Sequence, residues 1–318
     1  MNKTTEEENS GRTTRTIRDS DIPIFTIYGL IAVTSILANS VVISIIIRNT
    51  KFHSLYNFLL LNLAVADFIA GIFSILKLIA IIIMNSNHYE HDDVTCSVIL
   101  CKCLTAAICV NVFVSLNTLT VVAFERYYGI TMPIAHRTLN KKRLKYVVGL
   151  LWIWSTTAAA FAGQELEIGK ETFYCGFSSD EAQWPTWKLA MGWLGLVAGY
   201  IFPIFIVTTL YSKVIKSFWM QRKETQNSST GSNTPAIHVQ KKKSLKVIKL
   251  LILITVLFVI AIIPKLTYFA LVLYDRGFVN NALFYKLGIP TVAIIAINPF
   301  IYTLSNPAYR EKVKIICL

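Results

Sequence analysis

Seven long runs of apolar residues constrain the fold of this 318-residue chain more than any other feature of its sequence. They cover residues 22–47, 58–84, 97–124, 146–163, 189–212, 247–274 and 282–304. About 20 apolar residues cross a bilayer as a helix, and in lipid a helix satisfies its own backbone hydrogen bonds whereas an open sheet cannot. The sequence therefore predicts an all-α membrane protein with a seven-helix bundle over 22–304, an outer tail over 1–21, and a short amphipathic helix and tail over 305–318.

The net charge of +13 follows the expected membrane topology and gives no reason to expect nucleic-acid binding. Lysine and arginine accumulate after the first, third, fifth and seventh runs, whereas acidic residues accumulate after the second and fourth. Cytoplasmic loops are the ones enriched in Lys and Arg. We therefore expect a plasma-membrane protein with its N-terminus outside, its C-terminus inside and its basic side against anionic lipids. Arg12, Arg15 and Arg18 run against this pattern, but the later loops outweigh them.

A charged triplet, Glu125-Arg126-Tyr127, ends the third apolar run. An arginine beside hydrocarbon is costly unless it faces a partner or a cavity, and here it lies where lipid gives way to water. The triplet indicates a charge that meets a partner on the inner side of the membrane. The alternative is an arginine that only extends to the interface at a helix end.

Polar side chains inside the runs indicate a second site. Asp67 lies deep in the second run, where an ionised carboxylate needs a cation or hydrogen-bond donors. Asn111 and Ser115 are four residues apart and therefore on one face of the third helix. Their oxygen atoms suit a small hard cation, and the alternative is a protonated Asp67 within a hydrogen-bond network. Asn39, in the first run, is expected to face other helices.

Two lysines interrupt the runs, Lys77 in the second and Lys265 directly after Pro264 in the sixth. An intramembrane cation is a functional-site candidate, and two that face one cavity would favour a carboxylate or phosphate. The alternatives are an extended Lys77 that reaches the interface, or pairing with an outer-loop acid. The acidic outer loops attract cationic ligands at long range, so a peptide with a basic body and an anionic C-terminus fits both features. The expected pocket residues are Lys77, Thr105, Ile108, Lys265, Phe269 and Phe284.

The cysteines allow an outer disulfide. Cys101 lies near the outer end of the third run and Cys175 lies in the acidic loop after the fourth, so both face an oxidising compartment. Cys96 and Cys103 compete as partners. Cys317 follows a basic amphipathic segment and is a candidate for palmitoylation, with an unmodified thiol as the alternative.

Local patterns predict three further features. Alternating residues around 169–170 predict a β-hairpin, and the composition of residues 224–236 predicts a flexible linker. Pro203, Pro264 and Pro299 lie deep in three runs and predict kinked helices. Kinked helices with inward polar groups suit two alternative packings.

Together the motifs resemble the rhodopsin-like family of G-protein-coupled receptors over residues 22–316. The likeness rests on Asn39, residues 63–67, Cys101, the triplet with Ile130, Pro133 and Ile134, Trp152, Pro203 with Tyr211, Phe258 with Pro264, and residues 298–302. The resemblance implies that Glu125, Arg126, Tyr127, Ile134, Tyr211 and Tyr302 couple to a heterotrimeric G protein when helix six moves outward. It also implies a packing relay of Leu116, Pro203 and Phe258, an allosteric sodium site of Asp67, Asn111, Ser115 and Asn298, and a Cys101–Cys175 disulfide.

Departures from the family pattern refine these expectations. Ile262 and Ala261 replace a tryptophan and a cysteine before the helix-six proline, and Ile294 and Ile295 replace polar residues near the sodium site. Ser244 stands near the position where some members carry an acid that locks the arginine, which suggests high basal activity.

Two further departures bear on the ligand. Ile108 replaces the aspartate of amine receptors and Val292 the lysine of opsins, so neither an amine ligand nor retinal is expected. The outer loops resemble those of peptide receptors, which favours a peptide ligand, with a small acidic ligand (carboxylate, lipid or nucleotide) as the alternative.

The other protein classes find little support in the sequence. A transporter or channel is the main alternative, but no internal repeat is apparent. The sequence shows no Ser–His–acid set, no metal-spaced His or Cys cluster and no phosphate-binding glycine loop, so we expect no enzymatic activity. We expect no cofactor other than sodium, and we expect G protein, extracellular ligand and membrane lipids as partners.

Overall fold

Seven long helices dominate the computed structural model, which describes residues 19–85, 94–132, 140–163, 166–168, 175–177, 185–227, 235–305 and 307–317. The first four are α1 (Ile22–Arg48), α2 (Leu55–Asn85), α3 (Val94–Thr131) and α4 (Lys141–Gly163). The fifth helix, α5, comprises Thr186–Leu196, a π-helical turn at Val197–Ile201, and Phe202–Asn227. Next come α6 (Pro235–Tyr274), α7 (Asn281–Ser305) and a short α8 (Pro307–Cys317).

Six of the described helices, α1–α3 and α5–α7, are long and apolar enough to cross a membrane. The remaining long helix, α4, has 23 residues. At a rise of about 1.5 Å per residue, that is enough to cross the roughly 30 Å hydrocarbon core. The helices therefore match the seven predicted runs in number and order.

Several helices extend beyond the apolar runs that predicted them. α3 continues to Thr131, and α6 begins at Pro235, well before residue 247. The linker prediction for 224–236 is wrong at both ends, because α5 continues to Asn227 and α6 starts at Pro235, while 228–234 lie outside the described residues. The apolar runs indicate only the part of each helix that contacts lipid, not where the helix ends. Lys, Glu and Gln are good helix formers and let the helix continue into water, and proline is well tolerated at a first helical position.

The predicted hairpin is present between α4 and α5. Strand β1 (Leu166–Ile168) pairs antiparallel with β2 (Cys175–Phe177), with Ile168 opposite Cys175. The turn at 169–174 lies outside the described residues. β1 and β2 both contact α3, and β2 also contacts α7. The hairpin therefore marks one end of the bundle, called here the hairpin end.

Polar side chains connect the helices through the apolar interior. The Asn39 amide of α1 donates to the Ile295 carbonyl of α7 at 3.1 Å. The Trp152 indole of α4 donates to Asn62 Oδ1 of α2 at 2.8 Å, and Asn62 Nδ2 donates to Thr118 Oγ1 of α3 at 2.8 Å. Buried polar groups in a membrane bundle find partners on neighbouring helices. The prediction that Asn39 faces other helices is confirmed.

Helix α8 is anchored by one aromatic residue. Tyr309 is 1% exposed, and its ring centroid lies 4.6 Å from that of Phe52, between α1 and α2. Its hydroxyl lies 3.4 Å from Asn57 Oδ1. Burial raises the pKa of the Tyr309 phenol, so it stays neutral and acts as a hydrogen-bond donor. The predicted short helix after the seventh span is therefore present and packed against the bundle.

Candidate ligand cavity and inner coupling site

The charged triplet lies at the end of α3 remote from the hairpin. Arg126 Nε lies 2.5 Å from Glu125 Oε2, and Glu125 is 7% exposed. The guanidinium carbon of Arg126 lies 4.6 Å from the ring centroid of Tyr56 on α2. Among the described residues, Arg126 forms an ion pair only with Glu125. The arginine is thus held between its own carboxylate and an aromatic face, and nothing in the sequence pointed to Tyr56.

One other predicted coupling residue, Tyr211, lies beside the triplet, and so does Lys213, which was not predicted. Tyr211 of α5 is 4% exposed and lies within electrostatic reach of Arg126 and Glu125. The ammonium of Lys213 lies 5.9 Å from the ring centroid of Tyr127. The structure therefore brings α2, α3 and α5 together around the arginine. Ile134 and the side chain of Tyr302 lie outside the described residues, so their roles stay predictions.

The buried carboxylate of Asp67 joins three helices. Asp67 is 0% exposed; its Oδ1 accepts from Asn111 Nδ2 of α3 at 2.9 Å and its Oδ2 from Asn298 Nδ2 of α7 at 3.0 Å. Ser115 is 1% exposed and lies near the same carboxylate. These four residues, predicted as a sodium site, come together, whereas Ile294 and Ile295 contribute apolar side chains that are each 4% exposed.

The oxygen atoms of this cluster suit a small hard cation. Asn298 Oδ1 is buried and has no hydrogen-bond partner among the described residues. A carboxylate, an unpartnered amide oxygen and a hydroxyl are the ligand types that hard cations prefer. A neutral Asp67 would be compatible with the same hydrogen bonds, so the two interpretations of Asp67 both stay open.

Two of the three predicted packing-relay residues belong to one buried apolar cluster. Leu116 is 0% exposed and Phe258 3% exposed, and both belong to the largest buried apolar cluster together with Ile262. Pro203 is buried on α5 outside that cluster, although its neighbour Ile204 packs against it. The relay through Pro203 stays a prediction.

Helix α6 is joined to α7 at its proline. Pro264 has no N–H, so the carbonyl four residues before it lacks its helical donor. The next carbonyl, that of Ala261, accepts a hydrogen bond from Thr291 Oγ1 of α7 at 3.0 Å, and Thr291 is 4% exposed. Sequence reasoning missed Thr291, because a threonine in an apolar run carries no sign of its partner.

A cavity of about 300 Å³ opens in the hairpin half of the bundle. Its wall comes from α3 to α7 and includes four predicted pocket residues, Thr105, Lys265, Phe269 and Phe284. Trp154 of α4 and Trp187 of α5 line it as well, although they were not predicted. The volume is at the lower end of the range for ligand pockets, about 300–1,000 Å³.

A smaller cavity of about 50 Å³ shares wall residues with the larger one. Lys77 and Ile108, the two remaining predicted residues, line it together with Tyr28 and Tyr285. The wall residues common to both cavities are Thr105, Cys109, Lys265 and Phe284. All six predicted residues therefore line one cavity or both, and their contact with a ligand stays a prediction.

Both lysines point into the bundle. Lys77 is 9% exposed and its Nζ lies 4.8 Å from the ring centroid of Tyr285, while Lys265 Nζ lies 4.7 Å from that of Phe284. Within the described part of the chain, neither lysine forms an ion pair. The alternative in which Lys77 extends to the interface is wrong, because its ammonium is buried over an α7 ring.

The disulfide prediction is partly resolved. Cys101 is disulfide-bonded and 6% exposed, whereas Cys103 and Cys109 are free thiols. Cys103 is therefore excluded as the partner. The side chains of Cys96, Cys175 and Cys317 lie outside those described, so the Cys101–Cys175 pairing and the palmitoylation of Cys317 stay predictions.

Comparison with known proteins identifies the family of this bundle. The family model for 7-transmembrane receptors of the rhodopsin family matches residues 38–302. The chain belongs to this family. It therefore shares its class with receptors rather than with the transporters, channels or enzymes considered above. The structure also aligns with that of squid rhodopsin at a TM-score of 0.76, covering 94% of this chain and 85% of that one. At 17% identity, this likeness shows the fold alone.

Several known receptors are similar to the chain in sequence. Galanin receptor type 2 of Rattus norvegicus is 24% identical over 302 residues, which cover 93% of this chain and 75% of that receptor. Neuropeptide receptor 15 of Caenorhabditis elegans is 26% identical over 337 residues, covering 92% and 89%. The substance-P receptor of Rattus norvegicus is 25% identical over 294 residues, covering 89% and 68%.

Proposed function

We propose that this receptor lies in the plasma membrane with its N-terminus outside, binds an extracellular peptide that carries an anionic group, and activates a heterotrimeric G protein through outward movement of α6. The similarity to galanin, substance-P and neuropeptide receptors supports a peptide ligand. The cavity at the hairpin end supports ligand entry from that side.

The observation that carries the proposal is the environment of Arg126. Among the described residues, its charge is balanced only locally, by the adjacent Glu125 and the ring of Tyr56. A cation–π contact at a partly exposed site contributes only about 0.5–1 kcal/mol, so a binding partner can replace it at little cost. When α6 moves outward, Arg126 meets the C-terminal helix of Gα, Tyr211 and Tyr302 stabilise the open form, and Ile134 docks into an apolar pocket of Gα.

The test measures agonist-dependent nucleotide exchange on purified Gα. An agonist is first found by screening peptide and acidic small-molecule libraries in cells that express a promiscuous Gα. Arg126→Gln should abolish exchange at unchanged surface expression, whereas Arg310→Gln, an exposed α8 residue on the same side, should leave it unchanged. Full exchange by the Arg126 variant would refute the proposal, and ligand-independent ion current in liposomes would favour a channel.

A small acidic ligand is the second candidate for this receptor. Its support is the pair of lysines that line the cavities, which form no ion pair within the described residues. The same screen separates the two candidates, because each library contains only one class of compound.

We further propose that Asp67, Asn111, Ser115 and Asn298 hold an allosteric sodium ion. The ion would screen the buried carboxylate and tie α2, α3 and α7 together in the inactive packing. The thermal unfolding midpoint of the purified receptor should be higher in NaCl than in KCl at equal ionic strength, and Asp67→Asn should remove the difference. Equal midpoints for the wild type in the two salts would contradict the sodium site.

Basal activity is expected to be high. Ile262 stands where the family has an aromatic residue, and Ser244, whose side chain lies outside those described, stands near the position of an acid lock. GTP loading in receptor-containing membranes without ligand should exceed that in receptor-free membranes. Equal loading would argue against this expectation.

A further inference from the structure

Two ammonium groups share the small cavity, that of the buried Lys77 and that of the half-buried Lys265. Lys77 of α2 and Lys265 of α6 both line the space of about 50 Å³, and each lies over one of two adjacent aromatic residues of α7. The rings of these two residues, Phe284 and Tyr285, have centroids 5.9 Å apart. The lysines therefore approach the same short stretch of α7 from two different helices.

Two hydroxyl groups around this cavity donate to backbone carbonyls. Tyr28 donates to the Tyr285 carbonyl at 2.7 Å, and Ser74 donates to the Ala70 carbonyl at 2.7 Å. An ammonium has three donors and no acceptor, and a ring face does not replace a hydrogen-bond acceptor. Among the described residues neither lysine forms an ion pair, and two cations in a largely apolar interior carry a large desolvation cost unless an anion balances them. The cavity is thus complementary to a negative group.

The dimensions of the two cavities restrict what that group is attached to. The smaller cavity, of about 50 Å³, has a small fraction of the roughly 300 Å³ of the larger one. It can take a compact anion but not the body of a ligand. The adjoining cavity of about 300 Å³ has a mainly apolar wall, including Val112, Phe113, Trp154 and Leu266. A polar body such as a nucleoside would leave hydrogen-bonding groups unpaired there.

We propose that Lys77 and Lys265 together bind a carboxylate whose apolar body fills the larger cavity. This inference rests on the proposed receptor function and specifies the chemistry of its ligand. Lysine acts on an anion as a point charge rather than as a planar fork, which suits a single carboxylate reached from two sides. The carboxylate has two sources, the free C-terminus of a peptide that ends in an apolar residue or a medium-chain fatty acid.

Binding is tested on the purified full-length receptor in lipid nanodiscs, without G protein. The probes are decanoate with decanamide as its neutral counterpart, and N-acetyl-leucyl-phenylalanine with its C-terminal amide. The unfolding midpoint at increasing probe concentration gives an apparent affinity for each. At least one acid should stabilise the wild type, and its amide should bind at least tenfold more weakly.

The variants assign the effect to the two lysines. Lys77→Gln and Lys265→Gln should each weaken acid binding at least tenfold, whereas Lys265→Arg, which keeps the charge, should lose less. Lys286→Gln removes an exposed lysine of α7 that lines neither cavity, and it should bind like the wild type. Unfolding midpoints measured without probe identify any variant that is misfolded. In that case the comparison of acid with amide on the wild type still shows whether the site requires a carboxylate.

The outcomes separate this inference from the receptor proposal. If only decanoate binds, the ligand is a fatty acid, and if only the dipeptide acid binds, it is a peptide C-terminus. Either result supports the inference. Equal binding of acids and amides, or unchanged affinity in both Gln variants, overturns it even if an agonist still drives nucleotide exchange. Acid binding that never leads to nucleotide exchange with any Gα would instead refute the receptor proposal and leave the carboxylate site standing.

Discussion

Replacing Thr291 with valine should raise the ligand-independent activity of this receptor. The Thr291 hydroxyl donates to the Ala261 carbonyl at 3.0 Å and thereby joins α7 to α6 beside Pro264. Valine keeps the shape of the side chain and removes the donor. If α6 moves outward on activation, this hydrogen bond stabilises only the inactive packing, so its loss shifts the equilibrium toward the active form.

The size of the shift follows from what such bonds contribute. An interhelical hydrogen bond in a membrane protein contributes about 0.6 kcal/mol on average and up to about 1.7, and a typical protein hydrogen bond contributes about 1 kcal/mol. A loss of about 0.6–1.4 kcal/mol changes a two-state equilibrium about 3- to 10-fold. Basal nucleotide exchange per receptor should rise by that factor as long as the active form is the minor one.

Thr267 provides a matched control for this experiment. Its hydroxyl donates to the Ile263 carbonyl at 3.0 Å, so the bond has the same length and lies on the same helix, but it stays within α6 and is exposed. Thr267→Val should leave basal exchange unchanged. The reasoning is refuted if Thr291→Val does not exceed the wild type at matched surface expression, or if both valine variants raise exchange equally.

Substitutions of Gly288, Tyr309 and Trp152, the first two with a control variant, test the packing of the bundle. Gly288→Ala places a Cβ 2.5 Å from the Tyr28 hydroxyl, so it should displace that hydroxyl and lower the free energy of unfolding by about 1–3 kcal/mol. The control is Gly149→Ala, which has no atom within 4 Å of its Cβ and should not lower the unfolding midpoint. Tyr309→Ala should lower the free energy of unfolding by about 3–5 kcal/mol and release α8 from the bundle. Amide hydrogen exchange over 307–317 should then be faster than in the wild type, whereas Tyr309→Phe should leave it unchanged. Trp152→Phe leaves an amide oxygen of α2 without its indole donor and should lower stability by about 1 kcal/mol, and an unchanged midpoint would show that another donor takes its place.

The polar sites divide into those that the sequence predicted and those that it could not. Asp67 and Asn111 were expected to find polar partners because a carboxylate and an amide in apolar runs must face other helices, and the resemblance to the receptor family added Asn298. The structure joins the three by hydrogen bonds. The contact of Arg126 with Tyr56 was not foreseen. A single tyrosine at the start of a helix gives no sign in the sequence of which neighbouring helix its ring will contact.

The pocket shows the same division on a larger scale. Lys77 and Lys265 stood out in the sequence because a cation inside an apolar run is costly, and both line a cavity. Trp154 and Trp187 were missed as wall residues because an aromatic residue in a membrane helix suits lipid and cavity equally well. Only the packing of α4 and α5 against their neighbours decides whether each ring faces lipid or the cavity.

The sequence by itself determined the number and order of the membrane helices, the β-hairpin and the family, because hydropathy, local turn chemistry and short motifs are properties of neighbouring residues. It did not determine where helices end in water, since good helix formers extend α5 and α6 beyond the lipid-facing runs. The tertiary structure alone decided which side of each helix faces its neighbours, and so brought two lysines from different helices to one small cavity. Contacts between distant segments depend on how helices rotate and cross, which no local pattern encodes.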